Sequence, residues 1–178
     1  MINRRTLSLS LLGTVGAFAL RVAPAAEPAQ VTLVLFNEAG ARLGPSKVNK
    51  VVKSNSEWKA LLPPESFAVA RKAGTERPFS SPLDKVHDTG LFRCICCGNA
   101  LFSSATKFDS GTGWPSFWEP IAKENVSTHE DKTLFMTRTE VLCAQCDAHL
   151  GHVFDDGPKP TGLRYCMNGV SLKFVRKA

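Results

Sequence analysis

Cysteine is missing from the first 93 residues of this 178-residue chain, and all six fall between Cys94 and Cys166. A disulfide scaffold spreads its staples along a small secreted chain, so this crowding points instead to metal or redox chemistry. A long apolar run is missing too. The longest candidate, Leu7–Leu20, covers about 14 residues, short of the roughly 20 that a bilayer-crossing helix needs. Charge of one sign is also scarce. The formal net charge is +6, and without Arg4, Arg5 and Arg21 it falls to about +3. So small an excess, with no basic stripe, gives little support to a nucleic-acid partner. Internal repeats and low-complexity segments are absent. With 43% apolar and 21% charged residues, the chain is neither disordered throughout nor a polytopic membrane protein, and its length suits one domain with a short appendage.

Residues 1–25 read as an export signal. Met1–Arg5 is a basic start, Leu7–Leu20 an apolar stretch, and Ala23-Pro24-Ala25 a small-residue cleavage site, in the order such signals require. A retained membrane anchor or a buried helix are the other readings of the same run. Arg4-Arg5 also resembles a twin-arginine signal, which exports folded proteins. The destination expected on this reading is the bacterial periplasm. No lipobox cysteine follows the apolar stretch.

Residues 26–52 read as a linker and a hairpin-like appendage. Val31–Phe36 is strand-like and enters a turn at Asn37–Gly40, with a second extended piece near Val48–Val52. Ser54-Asn55-Ser56-Glu57 has the spacing of a capping box and opens a short helix over Trp58–Leu62. Pro63-Pro64 stops it and starts a second helix that ends at Gly74. Beyond residue 75 Gly and Pro punctuate short apolar runs, Leu134–Leu142 is an extended, Thr-rich run and Val170–Phe174 alternates, so residues 53–178 read as an antiparallel β domain with short helices at its front.

Cys94-x-x-Cys97 and Cys143-x-x-Cys146 are two knuckles 45 residues apart. A two-residue spacer turns both thiolates of a pair toward one ion, and two pairs complete a closed tetrahedral site suited to one structural Zn2+. Two disulfides, a redox-active dithiol and iron–sulfur ligation use the same residues. Cys96 lies within the first knuckle and is either a small buried residue or a reactive thiol.

Cys166 remains. A lone Cys in a strand is most often inert core, but Arg164 and Asn168 stand two positions to either side and so share its face. Arg164 would favour the thiolate, and His149 and His152 offer acid–base groups. The segment 108–118, with Trp114, Phe117 and Trp118, supplies an apolar wall.

KFDSGTGWPSF (107–117), the two knuckles, HLGHVFDDGP (149–158), TGLRYCMN (161–168) and TERPF (75–79) together resemble the methionine-R-sulfoxide reductases. The resemblance runs from about Lys53 to Phe174. It implies a mainly β fold, two antiparallel sheets in a sandwich or barrel-like arrangement, with structural zinc away from the reactive face. It implies that Cys166 is the nucleophile, that Trp114 holds the substrate methyl group with Phe117 nearby, and that His149, His152, Asn168 and Arg164 form the polar side. Substrates would be oxidised proteins or peptides, with a thioredoxin-like or other thiol reductant and a monomeric enzyme. One departure matters: family members often carry a resolving Cys where this chain has Thr112. The remaining candidate, Cys96, sits in a knuckle, so reduction by an external thiol is expected. The competing classes are a zinc-knuckle binding module and a general thiol-disulfide oxidoreductase.

Overall fold

The computed structural model describes residues 28–132 and 137–177. The expected export segment and the start of the run Leu134–Leu142 lie outside the described residues.

Ser54 caps α1 (Asn55–Leu61) as its spacing requires. The Glu57 N–H donates to Ser54 Oγ at 3.3 Å, and the Ser54 N–H donates to the Glu57 carboxylate at 2.8 Å. Two of the helix's orphan donors are thereby satisfied locally. Helix α2 (Pro64–Lys72) begins on Pro64, whose fixed φ suits a first turn. It ends two residues before the expected glycine. Ala73 takes the left-handed conformation at φ 52°, and the Gly74 N–H reaches back to the Ala68 carbonyl at 3.2 Å. Trp58 of α1 and Val69 and Ala70 of α2 are buried.

Every strand pair among the described residues is antiparallel. A two-stranded hairpin joins β1 (Gln30–Phe36) to β2 (Arg42–Asn49). The second strand therefore starts well before Val48, because Gly44 and Pro45 do not break it. Pro45 has no N–H to give, and β2 pairs on one side only, where a proline is tolerated. A three-stranded sheet has the order β11 (Leu172–Arg176), β3 (Gly90–Cys94), β4 (Ala100–Ser103). The largest sheet runs β5 (Lys107–Phe108), β6 (Ser116–Phe117), β10 (Arg164–Met167), β9 (His149–Phe154), β8 (Arg138–Cys143), β7 (Val126–Asp131).

The two larger sheets meet through aromatic side chains. Phe92 and Phe102 from the smaller sheet approach Phe117 from the larger, with ring centroids 4.9 and 4.4 Å apart. Leu101, Val141, Leu150 and Met167 fill the remaining space and are fully buried. Burying each such side chain stabilises the fold by about 1.5–3 kcal/mol. The expected mainly β architecture of antiparallel sheets with two short helices is the one observed.

Candidate active site

His149 and His152 are three residues apart, so a regular strand would point them to opposite faces. A bulge in β9 removes the conflict. The β8–β9 register moves from Val141↔Gly151 to Leu142↔His149, which leaves Leu150 as the extra residue. Both imidazoles then lie on one side, with ring centroids 5.5 Å apart. Gly151 makes this possible: its φ is +154°, and a Cβ there would fall 2.1 Å from the Cys166 carbonyl oxygen.

Strand β10 lies beside β9 with Cys166 opposite His152, so their side chains project from the same face. An open cavity of about 130 Å³ is lined by Cys166, His152, Asn168 and Trp114, together with Arg138 and Phe154. That volume suits the end of one side chain; drug-sized ligands occupy about 300–1,000 Å³.

The environment of Cys166 pulls its thiol in two directions. Burial pushes the pKa up, and this is the largest effect; Thr112, Ser116 and the Arg164 charge pull it down without reversing the shift. The resting residue at neutral pH is therefore mainly a thiol. Arg164 does lie beside it, as alternation along the strand requires. Its guanidinium is fixed by two 2.8 Å bonds to Asp156 and sits 4.5 Å above the Phe154 ring.

Each histidine has a carboxylate behind it. His152 Nε2 is 2.9 Å from Asp131, which Arg138 also contacts at 2.7 Å; His149 Nδ1 is 2.6 Å from Glu140. Burial holds the His152 pKa below its ordinary value, and the Asp131 contact offsets part of that shift. His152 is thus mainly neutral at pH 7, and with Nε2–H donated to Asp131 its Nδ1 is the accepting nitrogen. His149 does not line the cavity. It is buried behind His152 and borders a neighbouring hollow with Glu130, Asp131 and Glu140.

The TERPF segment straps the other side. Glu76 is 3% exposed, and its carboxylate accepts from the Gly169 and Val170 N–H groups at 2.7 and 2.8 Å. Its own N–H donates to Asn168 Oδ1 at 3.0 Å, and its carbonyl accepts from the Trp114 indole at 3.3 Å. Asn168 completes its pairing with the Leu150 carbonyl at 3.1 Å, so this amide is engaged by backbone and not by an imidazole.

Phe117 is a correction. It was expected at the substrate, but it is completely buried and stacked on Phe102. Its neighbour Ser116 pairs with Cys166, and alternation turns Phe117 into the core. Thr112 stands beside the reactive thiol, with Oγ1 3.9 Å from Cys166 Sγ. Sequence reasoning missed Arg138, Asp131, Glu140, Thr75, Phe154 and Glu76. Arg138 and Glu140 could have been found, since they alternate onto one face of a strand-like run; the others depend on pairings between distant segments.

The four knuckle sulfurs converge away from the cavity. All lie within 4.8 Å of one another, with Cys94–Cys146 and Cys97–Cys143 both 3.6 Å apart. Four sulfurs about 2.3 Å from one zinc would stand about 3.8 Å apart, whereas a disulfide needs about 2.05 Å. Contacts link the four sulfurs both within and across the knuckles, so neither CxxC stands apart as a separate dithiol. The donor set fits a tetrahedral metal ion. Both knuckles turn alike: Gly98 at φ +78° and Asp147 at φ +56° follow the second ligand, and each N–H returns to the first ligand's carbonyl at 2.9 Å. Cys96, half-buried, lies beside this cluster, and the side-chain partners of Cys166 do not include it.

Comparison with known proteins places this geometry in a family. The SelR domain matches residues 62–176. A protein of Methanosarcina mazei named peptide methionine sulfoxide reductase MsrB is 54% identical over 129 residues, spanning 72% of this chain and 92% of that protein. Proteins of the same name from Hahella chejuensis and Pseudomonas syringae pv. syringae are 53% and 55% identical, over 91% and 100% of their lengths. The chain belongs to the MsrB family.

Proposed function

We infer that this protein reduces the R epimer of methionine sulfoxide, peptide-bound or free, to methionine. One observation carries the reading to particular residues: Cys166 and His152 face each other across β9–β10 in a cavity of side-chain size closed by Trp114. The S-methyl group rests against Trp114 and Phe154, where aromatic surface suits a methylated sulfur. The sulfoxide oxygen then points to the histidine side, which selects one epimer.

The proton inventory supports this arrangement. His152 Nδ1 takes the Cys166 proton, and Asp131 stabilises the imidazolium that forms. The Cys166 sulfur attacks the sulfoxide sulfur while that proton passes to the sulfoxide oxygen; the protonated oxygen then moves to the Cys166 sulfur, and both its bond to the methionine sulfur and the transient S–S bond break. The sum is one thiol and one sulfoxide giving one sulfenic acid on Cys166 and one methionine, with two electrons leaving the thiol sulfur. Arg164 steadies the transient thiolate. His149, held by Glu140, positions His152 from behind. The sulfenic acid is reduced by an external thiol, thioredoxin-like or smaller, because Thr112 stands beside Cys166 where a resolving cysteine would be expected and Cys96 lies beside the four-cysteine cluster. Water leaves as the mixed disulfide forms, and a second thiol releases Cys166.

The metal on this reading is zinc, held by Cys94, Cys97, Cys143 and Cys146 as a structural crosslink with no open position. Residues 1–25 carry the chain, as a monomer, to the periplasm; their basic, apolar and small-residue order supports export. A general thiol-disulfide oxidoreductase is not favoured, since all four CxxC sulfurs gather in one cluster.

Turnover of the two epimers of dabsylated methionine sulfoxide by the wild type and Cys166→Ser tests the reading. The R epimer alone should be consumed, and only by the wild type. Without reductant, one turnover should leave a Cys166 sulfenic acid trappable by dimedone and visible by mass spectrometry. Equal rates with both epimers, activity in Cys166→Ser, or a Cys96–Cys166 disulfide would each defeat the part it addresses.

A further inference from the structure

The four-cysteine site is held from outside by a part of the chain that the family match does not include. The end of the N-terminal hairpin is tied to the second knuckle. Lys50 Nζ meets the Asp147 carboxylate at 2.6 Å, and the Val51 N–H donates to the Gln145 carbonyl at 2.9 Å. The turn of the hairpin is tied to the first knuckle. One Arg93 nitrogen donates to the Gly98 carbonyl at 3.1 Å, and another donates to the carbonyls of Phe36 and Asn37 at 3.2 and 2.7 Å.

Between these two tethers Asn125 fixes the strand itself. It is fully buried, and its side chain imitates a neighbouring strand. Oδ1 accepts from the Val34 N–H, and Nδ2 donates to the Val34 carbonyl, each at 2.8 Å. The Asn125 carbonyl accepts from Asn99 Nδ2 at 3.0 Å and from the Ala144 N–H at 3.1 Å. That same Asn99 nitrogen lies 3.6 Å from Cys143 Sγ. A continuous line of hydrogen bonds therefore runs from β1 to a ligand sulfur.

We propose that residues 30–51 are the outer shell of the metal site, fastening both knuckles and slowing release of the ion. The proposal rests on the reading of the four cysteines as a zinc site. Release from a closed four-thiolate site requires one knuckle to swing away before a competing ligand can enter. The knuckles belong to different sheets, and the hairpin reaches both: through the Arg93 guanidinium, which bridges the hairpin turn to the Gly98 carbonyl after Cys97, and directly at the Gln145 carbonyl and the Asp147 carboxylate on either side of Cys146. Opening either one must break a tether as well as metal–sulfur bonds. Electrostatics favour the same arrangement. Four thiolates with one divalent ion leave two negative charges, and Lys50, Arg93 and Arg71, whose guanidinium donates to the Cys146 carbonyl at 2.7 Å, surround the knuckles with positive charge. Outer-shell contacts of this kind govern metal affinity as ligands do.

The test uses the full chain. Zinc content is measured by plasma mass spectrometry, and transfer of the ion to excess 4-(2-pyridylazo)resorcinol is then timed. Lys50→Ala with Arg93→Ala should speed release by about 10- to 100-fold, with each single variant in between. Lys85→Ala, which removes the ion pair to Asp84 and touches neither knuckle, should release at the wild-type rate. If the double variant loses its near-ultraviolet circular dichroism, Lys50→Ala alone carries the comparison, since Lys50 offers only an exposed ion pair. Equal release rates from zinc-loaded wild type and variants overturn the proposal. A wild-type chain that takes up no stoichiometric zinc overturns the metal-site reading and the proposal with it.

Discussion

Cys166, the nucleophile on the proposed reading, stands where burial disfavours its anion, and Arg164 is the positive charge opposing that effect. The sign of its contribution follows directly. Burial raises the pKa, so the thiolate appears only as pH rises past the ordinary thiol range near 8.5. Removing the nearby positive charge raises it further. Arg164→Met should therefore shift the alkaline limb of iodoacetamide labelling to higher pH and lower the labelling rate at pH 7 by about three- to tenfold. Labelling should be followed at Cys166 by peptide mapping, because the knuckle thiols also react once metal is lost. An unchanged midpoint would mean that the guanidinium, committed to Asp156 and stacked on Phe154, contributes only shape. The facing of Arg164 and Cys166 was legible in the sequence, since it needs nothing but alternation along a strand. The mainly protonated state of the thiol was not, because burial depends on which distant segments cover it.

At the scale of elements, local features were readable and paired ones were not. The Ser54–Glu57 box and the proline start of α2 involve residues within four positions of each other, and both formed as expected. The second hairpin strand, expected near Val48–Val52, runs over Arg42–Asn49; it contains Gly44 and Pro45, and its edge position makes Pro45 harmless. The bulge at Leu150 left no clear mark, since its extra residue exists only relative to β8. Yet this bulge puts the two histidines on one face. Gly151→Ala tests how much depends on it. The new Cβ would collide with the Cys166 carbonyl oxygen and press on Met167 Cα, 3.0 Å away. Backbone cannot yield as a side-chain tip can, so β9 and β10 must separate. Loss of about 2–4 kcal/mol in urea unfolding is expected, with turnover falling further than stability alone explains, because Cys166 and His152 lose their register. Wild-type turnover in a folded Gly151→Ala protein would show that the pairing tolerates a shift.

Across the whole molecule the metal site and the reactive cavity divide the work between opposite needs. The cavity must stay open to a protein side chain and keep a half-buried thiol and a neutral imidazole side by side. Rigidity has to come from elsewhere. The knuckles provide it, joining the end of β3 in the smaller sheet to the end of β8 in the larger, while the aromatic contacts of Phe92, Phe102 and Phe117 join the same sheets farther along. The six cysteines thus separate in space into a cluster of four that fits a metal ion and, apart from it, Cys166, the reacting thiol on the proposed reading; Cys96 lies beside the cluster and is not among the side-chain partners of Cys166. A crosslink that binds only the folded state stabilises it by mass action, about 4 kcal/mol when free metal exceeds its dissociation constant a thousandfold. For a chain of this size each kcal/mol moves the melting temperature by about 2–4 °C. Stripping the metal with a chelator should therefore lower the midpoint by roughly 8–16 °C, and readdition of zinc should restore it in proportion to the logarithm of free metal concentration. Calorimetry in metal buffers measures both. If the midpoint stays fixed across that range, the aromatic contacts alone hold the sheets together, and the four sulfurs converge without stabilising the fold.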